Sequence, residues 1–322
     1  MPSPPARIDL SDRALVVPAD LTAVRGYIAE SLAPATRRAY RAALAAFTRW
    51  CDDQGVAPLP ASPETVAAFL AAETDRGRAV ATVEQRAAAI RWAHEARGHE
   101  SPTSTKLVRS TMAGIRRERG VAPKRKQPAT VDRLAAMVSH TNVETVKGQR
   151  DRALLLFGFA SAMRRSELAA LDVDDLEEAD RGLLVTVRRS KTDQEGRGHQ
   201  RAIVPGRKAE LCPLRALRVW LGAAGITSGS VFRSVSRHDA VGESLSTRGI
   251  ADVVKMYAER AGFDPSEFSG HSLRAGFITS AAERGANADR IMDHTGHRSH
   301  AMVRVYTRRA DAFADHAGEG LL

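Results

Sequence analysis

From Arg116 to Pro128 the chain reads Arg-Arg-Glu-Arg-Gly-Val-Ala-Pro-Lys-Arg-Lys-Gln-Pro, with six cations and no apolar periodicity. Such a stretch cannot enter a hydrophobic core, so it splits the chain into two separately packed bodies. The 322 residues agree with this, since they exceed the ~100–200 of a usual domain. The expected division is a first domain over 18–115, a basic linker over 116–129 and a second domain over 130–322. The linker itself reads either as a solvated connector or as a strap that tracks phosphates.

Ahead of the linker every long segment repeats its apolar residues at helical spacing. Between Thr36 and Asp53, Tyr40, Leu44, Phe47 and Cys51 form one stripe, and Arg38, Arg41 and Arg49 lie off it. Thr36 is the expected N-cap and Gly55 the expected stop. Similar spacing predicts helices near 21–32, 63–76, 80–97 and 103–118, a bundle of about a hundred residues. Residues 1–17 are Pro-rich and aperiodic and read as a loose tail.

Beyond the linker the pattern mixes. Helices are predicted near 131–140, 148–162, 165–170, 213–223, 247–261, 271–284, 287–294 and 299–309. Leu183, Val185 and Val187 alternate with Leu184, Thr186 and Arg188, which is strand periodicity. A polar turn from Ser190 to His199 leads to a second short strand over 201–204. The expected fold class is mainly α (α+β), a helical bundle followed by a mainly helical domain with one small antiparallel sheet.

Charge narrows the function. Lys and Arg number 48 against 38 Asp and Glu, a surplus of +10 that draws polyanions, nucleic acid foremost, or else serves solubility. No amphipathic helix joins a Lys-rich face to exposed Trp or Phe, and the longest apolar stretch, Ala153 to Met163, is too short to span a bilayer. Two cysteines, Cys51 and Cys212, exclude a disulfide framework. The start, Met1-Pro-Ser-Pro-Pro, lacks the features of a secretory signal, so a cytoplasmic location is expected.

Four short constellations carry chemistry. Arg164 and Arg165 end a buried helix, where an arginine needs either a carboxylate such as Glu167 or an anionic ligand. His271 and Arg274 stand at i and i+3 at a helix start, where they share a face suited to a phosphate or to a capped surface pair. His294, His297 and His300 recur every third residue, but Gly296 interrupts the helix and no metal site is expected. Of four tyrosines, Tyr27, Tyr40 and Tyr257 read as core, whereas Tyr306 lies among Arg304, Arg308 and Arg309.

In order, Arg164, Lys191, His271-x-x-Arg274, Gly296-His297 and Tyr306 resemble the tyrosine recombinase (phage integrase) family across nearly the whole chain. Residues 18–112 look like its SAM-like core-binding domain and 130–310 like its catalytic domain. Arg164 matches the first catalytic arginine, with Ser166-Glu167-Leu168 behind it. Lys191 matches the mobile catalytic lysine, His271 and Arg274 the HxxR box, His297 the later His/Trp position, and Tyr306 the nucleophile. Ser161-Ala162 departs from the usual Thr-Gly, Thr295-Gly296-His297 from Leu-Gly-His, and Ala275 from a common His. These departures bear on loop conformation and rate and remove no reacting group.

The resemblance implies a site-specific recombinase that cuts and rejoins DNA through a 3′-phosphotyrosine, with no metal, cofactor or ATP. Arg164 and Arg274 would hold the scissile phosphate, Lys191 would protonate the leaving 5′-oxygen, and His271 and His297 would orient or deprotonate the phenol. The partner is double-stranded DNA carrying a specific site, gripped in a C-shaped clamp. The implied assembly is a homotetramer on synapsed duplexes and a monomer or weak dimer when free, with no membrane partner. Arg37, Arg41 and Arg86 are the expected N-terminal DNA contacts, with Lys124 and Lys126 in the linker. The tail after Asp311 either docks on a neighbouring subunit or frays. The rival readings are a type IB topoisomerase-like nicking-closing enzyme and a DNA-binding protein that no longer cleaves.

Overall fold

The computed structural model describes residues 32–121, 125–188 and 198–307. Most of the helix expected near 21–32, Lys124, Lys191 with most of its turn, and the tail after Asp311 lie outside these residues. The chain divides into two compact units, one ending at Pro123 and the other beginning at Lys124.

In the first unit, α1 (Pro34–Gln54), α2 (Pro63–Asp75), α3 (Val80–Glu95) and α4 (Lys106–Arg119) pack around Phe47, Cys51, Phe69, Leu70 and Ile90. The Phe47 and Cys51 stripe is buried, and the Phe47 ring lies 4.9 Å from Phe69. Pro34 occupies the first turn of α1, so Thr36 lies inside the helix and is not its cap. Gly55 closes α1 in the left-handed region at φ 66°. Ser62 and Thr105 cap α2 and α4 through their hydroxyls.

The expected linker is shorter than its composition suggested. Arg116, Arg117 and Arg119 form the last turn of α4, where cations offset the negative end of the helix dipole, and Arg116 Nε reaches Glu84 at 2.7 Å. At the other end Gln127 N donates to Glu267 O at 2.7 Å and Ala129 N to Ser272 O at 2.9 Å, so these residues belong to the second unit.

The second unit runs α5 (Val131–Ser139), α6 (Val146–Ala160), α7 (Arg165–Ala169), β1 (Leu176–Ala179), β2 (Gly182–Val187) and β3 (His199–Ile203). It continues with α8 (Pro213–Ala223), β4 (Arg233–Val235), β5 (Val241–Ser244), α9 (Thr247–Arg260), α10 (Ser272–Glu283), α11 (Ala288–Thr295) and α12 (His300–Thr307). α6 is buried from Ala153 to Phe157 and shares a core with Trp220, Phe232 and Val254. β1, β2 and β3 form an antiparallel sheet in which Val185 pairs with Arg201 and Val187 with His199. β4 and β5 form a second sheet, where one sheet had been expected. Its strands have only three and four residues, too few for a readable alternation. α10, α11 and α12 share a smaller cluster of Ile278, Ala282, Ile291 and Val303, with Tyr306 at its margin.

No helix among the described residues is long and apolar enough to cross a membrane.

Candidate active site

α6 ends at Ala160, and the chain turns through Ser161, Ala162 and Met163 into α7. Ala162 makes this turn at φ 48°, a conformation normally left to glycine, and is wholly buried. Arg164 caps α7. Glu167, one turn on, accepts its backbone N–H at 2.9 Å and its Nη1 at 2.6 Å. Burial pushes the Glu167 carboxyl up, but the bonds from Arg164 and the charges of Arg201 and Arg164 outweigh it and hold the group below the usual carboxylate range.

The start of α10 presents His271 and Arg274 together. Arg274 is 1% exposed, and its Nη1 donates to Ala162 O at 2.7 Å. Its Nη2 lies 3.1 Å from His297 Nε2, while its Nε is buried with no hydrogen-bond partner among the described residues. Burial, followed by the Arg164 and Arg201 charges, lowers Arg274 to about 9, which still leaves it cationic at neutral pH. Among the described residues, three guanidiniums (Arg164, Arg201 and Arg274) thus gather around one carboxylate, Glu167.

α11 ends at Gly296, left-handed at φ 68°, which throws His297 back toward Arg274. Thr295 Oγ1 donates to Ile291 O at 2.6 Å, so it accepts the proton on His297 Nδ1 at 2.7 Å. His297 Nε2 is then the acceptor for Arg274. Burial and the Arg274 and Arg164 charges push His297 down to about 4, so it is neutral at physiological pH. α12 returns Tyr306 to the site, with Tyr306 Oη 2.9 Å from His271 Nε2. The Tyr306 ring centre is 6.4 Å from those of both histidines. His271 titrates below its ordinary value because the surrounding protein desolvates it and Arg274 and Arg164 repel its charge. A neutral imidazole against a phenol is a ready proton acceptor.

Sequence spacing had grouped three histidines, and the structure separates them. His294 Nε2 meets Ala160 O at 2.8 Å and its ring stacks on Phe277 at 4.6 Å, whereas His300 faces Asp289 at 3.2 Å. Among the described residues no group of three or more His, Cys, Asp and Glu is placed to hold a metal ion.

Of the expected site residues, Arg164, His271, Arg274, His297 and Tyr306 converge from the α6–α7 turn, the start of α10, the α11–α12 turn and α12. Arg41 is exposed on α1 and Arg37 partly so. Lys126 is exposed and donates to Ser266 O. Arg86 is not a free surface cation. Its side chain is 12% exposed, paired with Glu73 at 2.5 Å and laid over the Phe69 ring at 5.6 Å. The residue that sequence reading missed is Arg201. It shares the inward face of β3 with Ile203, opposite Val185 and Leu183, and that alternation was the available signal.

The profile of the phage integrase family matches residues 127–312, more than half of the chain. The chain belongs to the phage integrase family. The family's N-terminal SAM-like domain matches residues 27–112. An integrase/recombinase XerD homolog of Selenomonas ruminantium is 39% identical over 292 residues, covering 89% of this chain and 85% of the relative. The recombinase Cre of Escherichia phage P1 is 25% identical over 284 residues, covering 82% and 80%. A lambda integrase dimer bound to a COC′ core site shares the fold, with a TM-score of 0.63 and 18% identity over 92% of this chain and 95% of that one. This phage integrase family member is a site-specific tyrosine recombinase acting on DNA, with the mainly helical, two-domain fold of the family.

Proposed function

We propose that Tyr306 is the nucleophile of a cut-and-reseal reaction on duplex DNA. The phenol oxygen attacks phosphorus, its proton passes to His271, and the 5′-oxygen leaves with a proton from Lys191. A 3′-phosphotyrosine remains and keeps the energy of the phosphodiester, so a 5′-hydroxyl from another strand reseals it without ATP. Arg164 and Arg274 hold the non-bridging oxygens, whose charge grows in the transition state. His297, neutral and fixed by Thr295, orients Arg274. The observation that carries this reading is the 2.9 Å approach of Tyr306 Oη to His271 Nε2, beside a buried Arg274 Nε without a partner among the described residues. Such an atom in a site with excess positive charge suits a phosphate. Arg37, Arg41, Lys124 and Lys126 supply phosphate contacts, and the active assembly on synapsed sites is a homotetramer. The reaction needs access to DNA, which fits a cytoplasmic protein.

The test begins by selecting bound duplexes from a random library to obtain the site. A nick just 3′ of the scissile phosphate then lets the short 5′-hydroxyl fragment diffuse away, trapping the adduct. Wild type should accumulate a detergent-resistant protein–DNA adduct and Tyr306→Phe none. An adduct in the variant overturns the choice of nucleophile, and binding without any wild-type adduct overturns cleavage itself.

A further inference from the structure

Arg201 takes no part in the chemistry above, yet its side chain is wholly buried beneath the reacting groups. It enters from β3, where its register partner is the apolar Val185. Each of its three nitrogens donates to an acceptor. Nε donates to His199 Nε2 at 2.9 Å and Nη1 to Ser161 O at 2.8 Å, while Nη2 reaches Glu167 Oε2 and Thr295 O, each at 3.2 Å.

The choice of acceptors gives the side chain a meaning beyond stability. Ser161 O opens the turn that leads into Arg164, and Glu167 holds the Arg164 guanidinium. Thr295 O closes α11 two residues before His297. The very next carbonyl, Ala162 O, is held by Arg274, so one short turn is gripped by two buried guanidiniums on consecutive carbonyls. A buried cation is a poor way to gain stability, because apolar side chains fill such space at less cost. A rigid planar fork is, however, a good way to hold several acceptors at fixed separations. We propose that Arg201 is a positioning residue for strand cleavage: it ties the Arg164 turn, Glu167 and the His297 turn to one guanidinium and so sets the width of the phosphate site. This inference rests on the reading of Tyr306 and the two phosphate-holding arginines given above.

The test uses the full chain on the trapped nicked duplex, with single-turnover cleavage at saturating DNA. Its rate constant, its amplitude and the DNA affinity are recorded separately. Arg201→Met keeps much of the length and removes every donor. Its rate constant should fall ~100-fold, the scale of a small misplacement of reacting groups, with affinity within about twofold of wild type. Arg201→Lys keeps the charge beside Glu167 but not both carbonyl contacts, and should fall ~10-fold. If the Met variant does not fold, the Lys variant decides. A lowered amplitude with a wild-type rate constant would make Arg201 merely structural and overturn the proposal, as would loss of folding in both variants. If wild type forms no adduct, the reacting set has been misread. If wild type forms it and both variants match its rate, only the role of Arg201 fails.

Discussion

His271 and Tyr306 meet at 2.9 Å although they lie 35 residues apart and come from different helices. The contact exists because α12 folds back on α10 through Ile278 and Val303, which places the phenol over the start of α10. If His271 receives the phenol proton, His271→Gln should slow adduct formation by ~10²–10⁴-fold. DNA affinity, measured by titration with the uncut duplex, should change little.

Stability should depend on pH in a defined direction. His297 falls from its ordinary 6.5 to about 4 in the folded chain, and His199, His271 and His294 are lowered as well, each chiefly by desolvation. Between about pH 4 and 6.5 the unfolded chain therefore binds more protons than the folded one, and stability rises with pH across that window. Glu167, held low, acts in the same direction at the acid end, while the raised Asp151 opposes it. Denaturant unfolding should show a plateau above pH 6.5 and a loss below it, with His297 alone accounting for about 3 kcal/mol at the acid limit. A flat profile from pH 4.5 to 7.5 would contradict the burial of these rings.

Ala162 offers a backbone test. At φ 48° a glycine is at ease and a β-branched side chain is not. Ala162→Gly should lie within about 1 kcal/mol of wild type, since relief of the left-handed backbone is offset by a lost buried methyl and a freer unfolded chain. Ala162→Val should cost about 2 kcal/mol or more and slow cleavage by shifting the carbonyl that receives Arg274. Chemical melts and single-turnover rates measure both.

Two arginines of the first unit should behave in opposite ways. Arg41 is exposed, and Arg41→Ala should weaken DNA binding and reduce the slope of log affinity against log salt by about 1, leaving the melting curve unchanged. Arg86 is packed between Glu73 and Phe69, and Arg86→Ala should cost about 1–3 kcal/mol of stability. Its salt slope should stay at the wild-type value.

The parts of the fold legible in the sequence were those with sustained periodicity. The Phe47 and Cys51 stripe, the buried run in α6 and the Leu183–Val187 alternation each repeat often enough to fix an element and its inward face. β1, β4 and β5 were not legible, because strands of three or four residues with mixed polarity owe their pairing to neighbours brought by the rest of the chain. The start of α1 was misplaced because Thr36 looked like a cap while Pro34 already supplied the first-turn geometry. In the site, residue types and their order pointed to Arg164, His271, Arg274, His297 and Tyr306. Nothing in local sequence distinguishes Arg86, packed against Glu73, from the exposed Arg41. Arg201 escaped notice for the opposite reason, as a charged residue on the inward face of a strand otherwise marked by Ile203. Long-range contacts decide both cases.

The most direct measurement identifies the atom of protein bonded to DNA. The trapped adduct is digested with trypsin and the nucleotide-bearing peptide is sequenced by mass spectrometry, using a strand labelled to report which end carries the phosphate. The account predicts the peptide of residues 305–308 joined through Tyr306 to a 3′-phosphate. A nucleotide on any other residue, or a link to a 5′-phosphate, would contradict it.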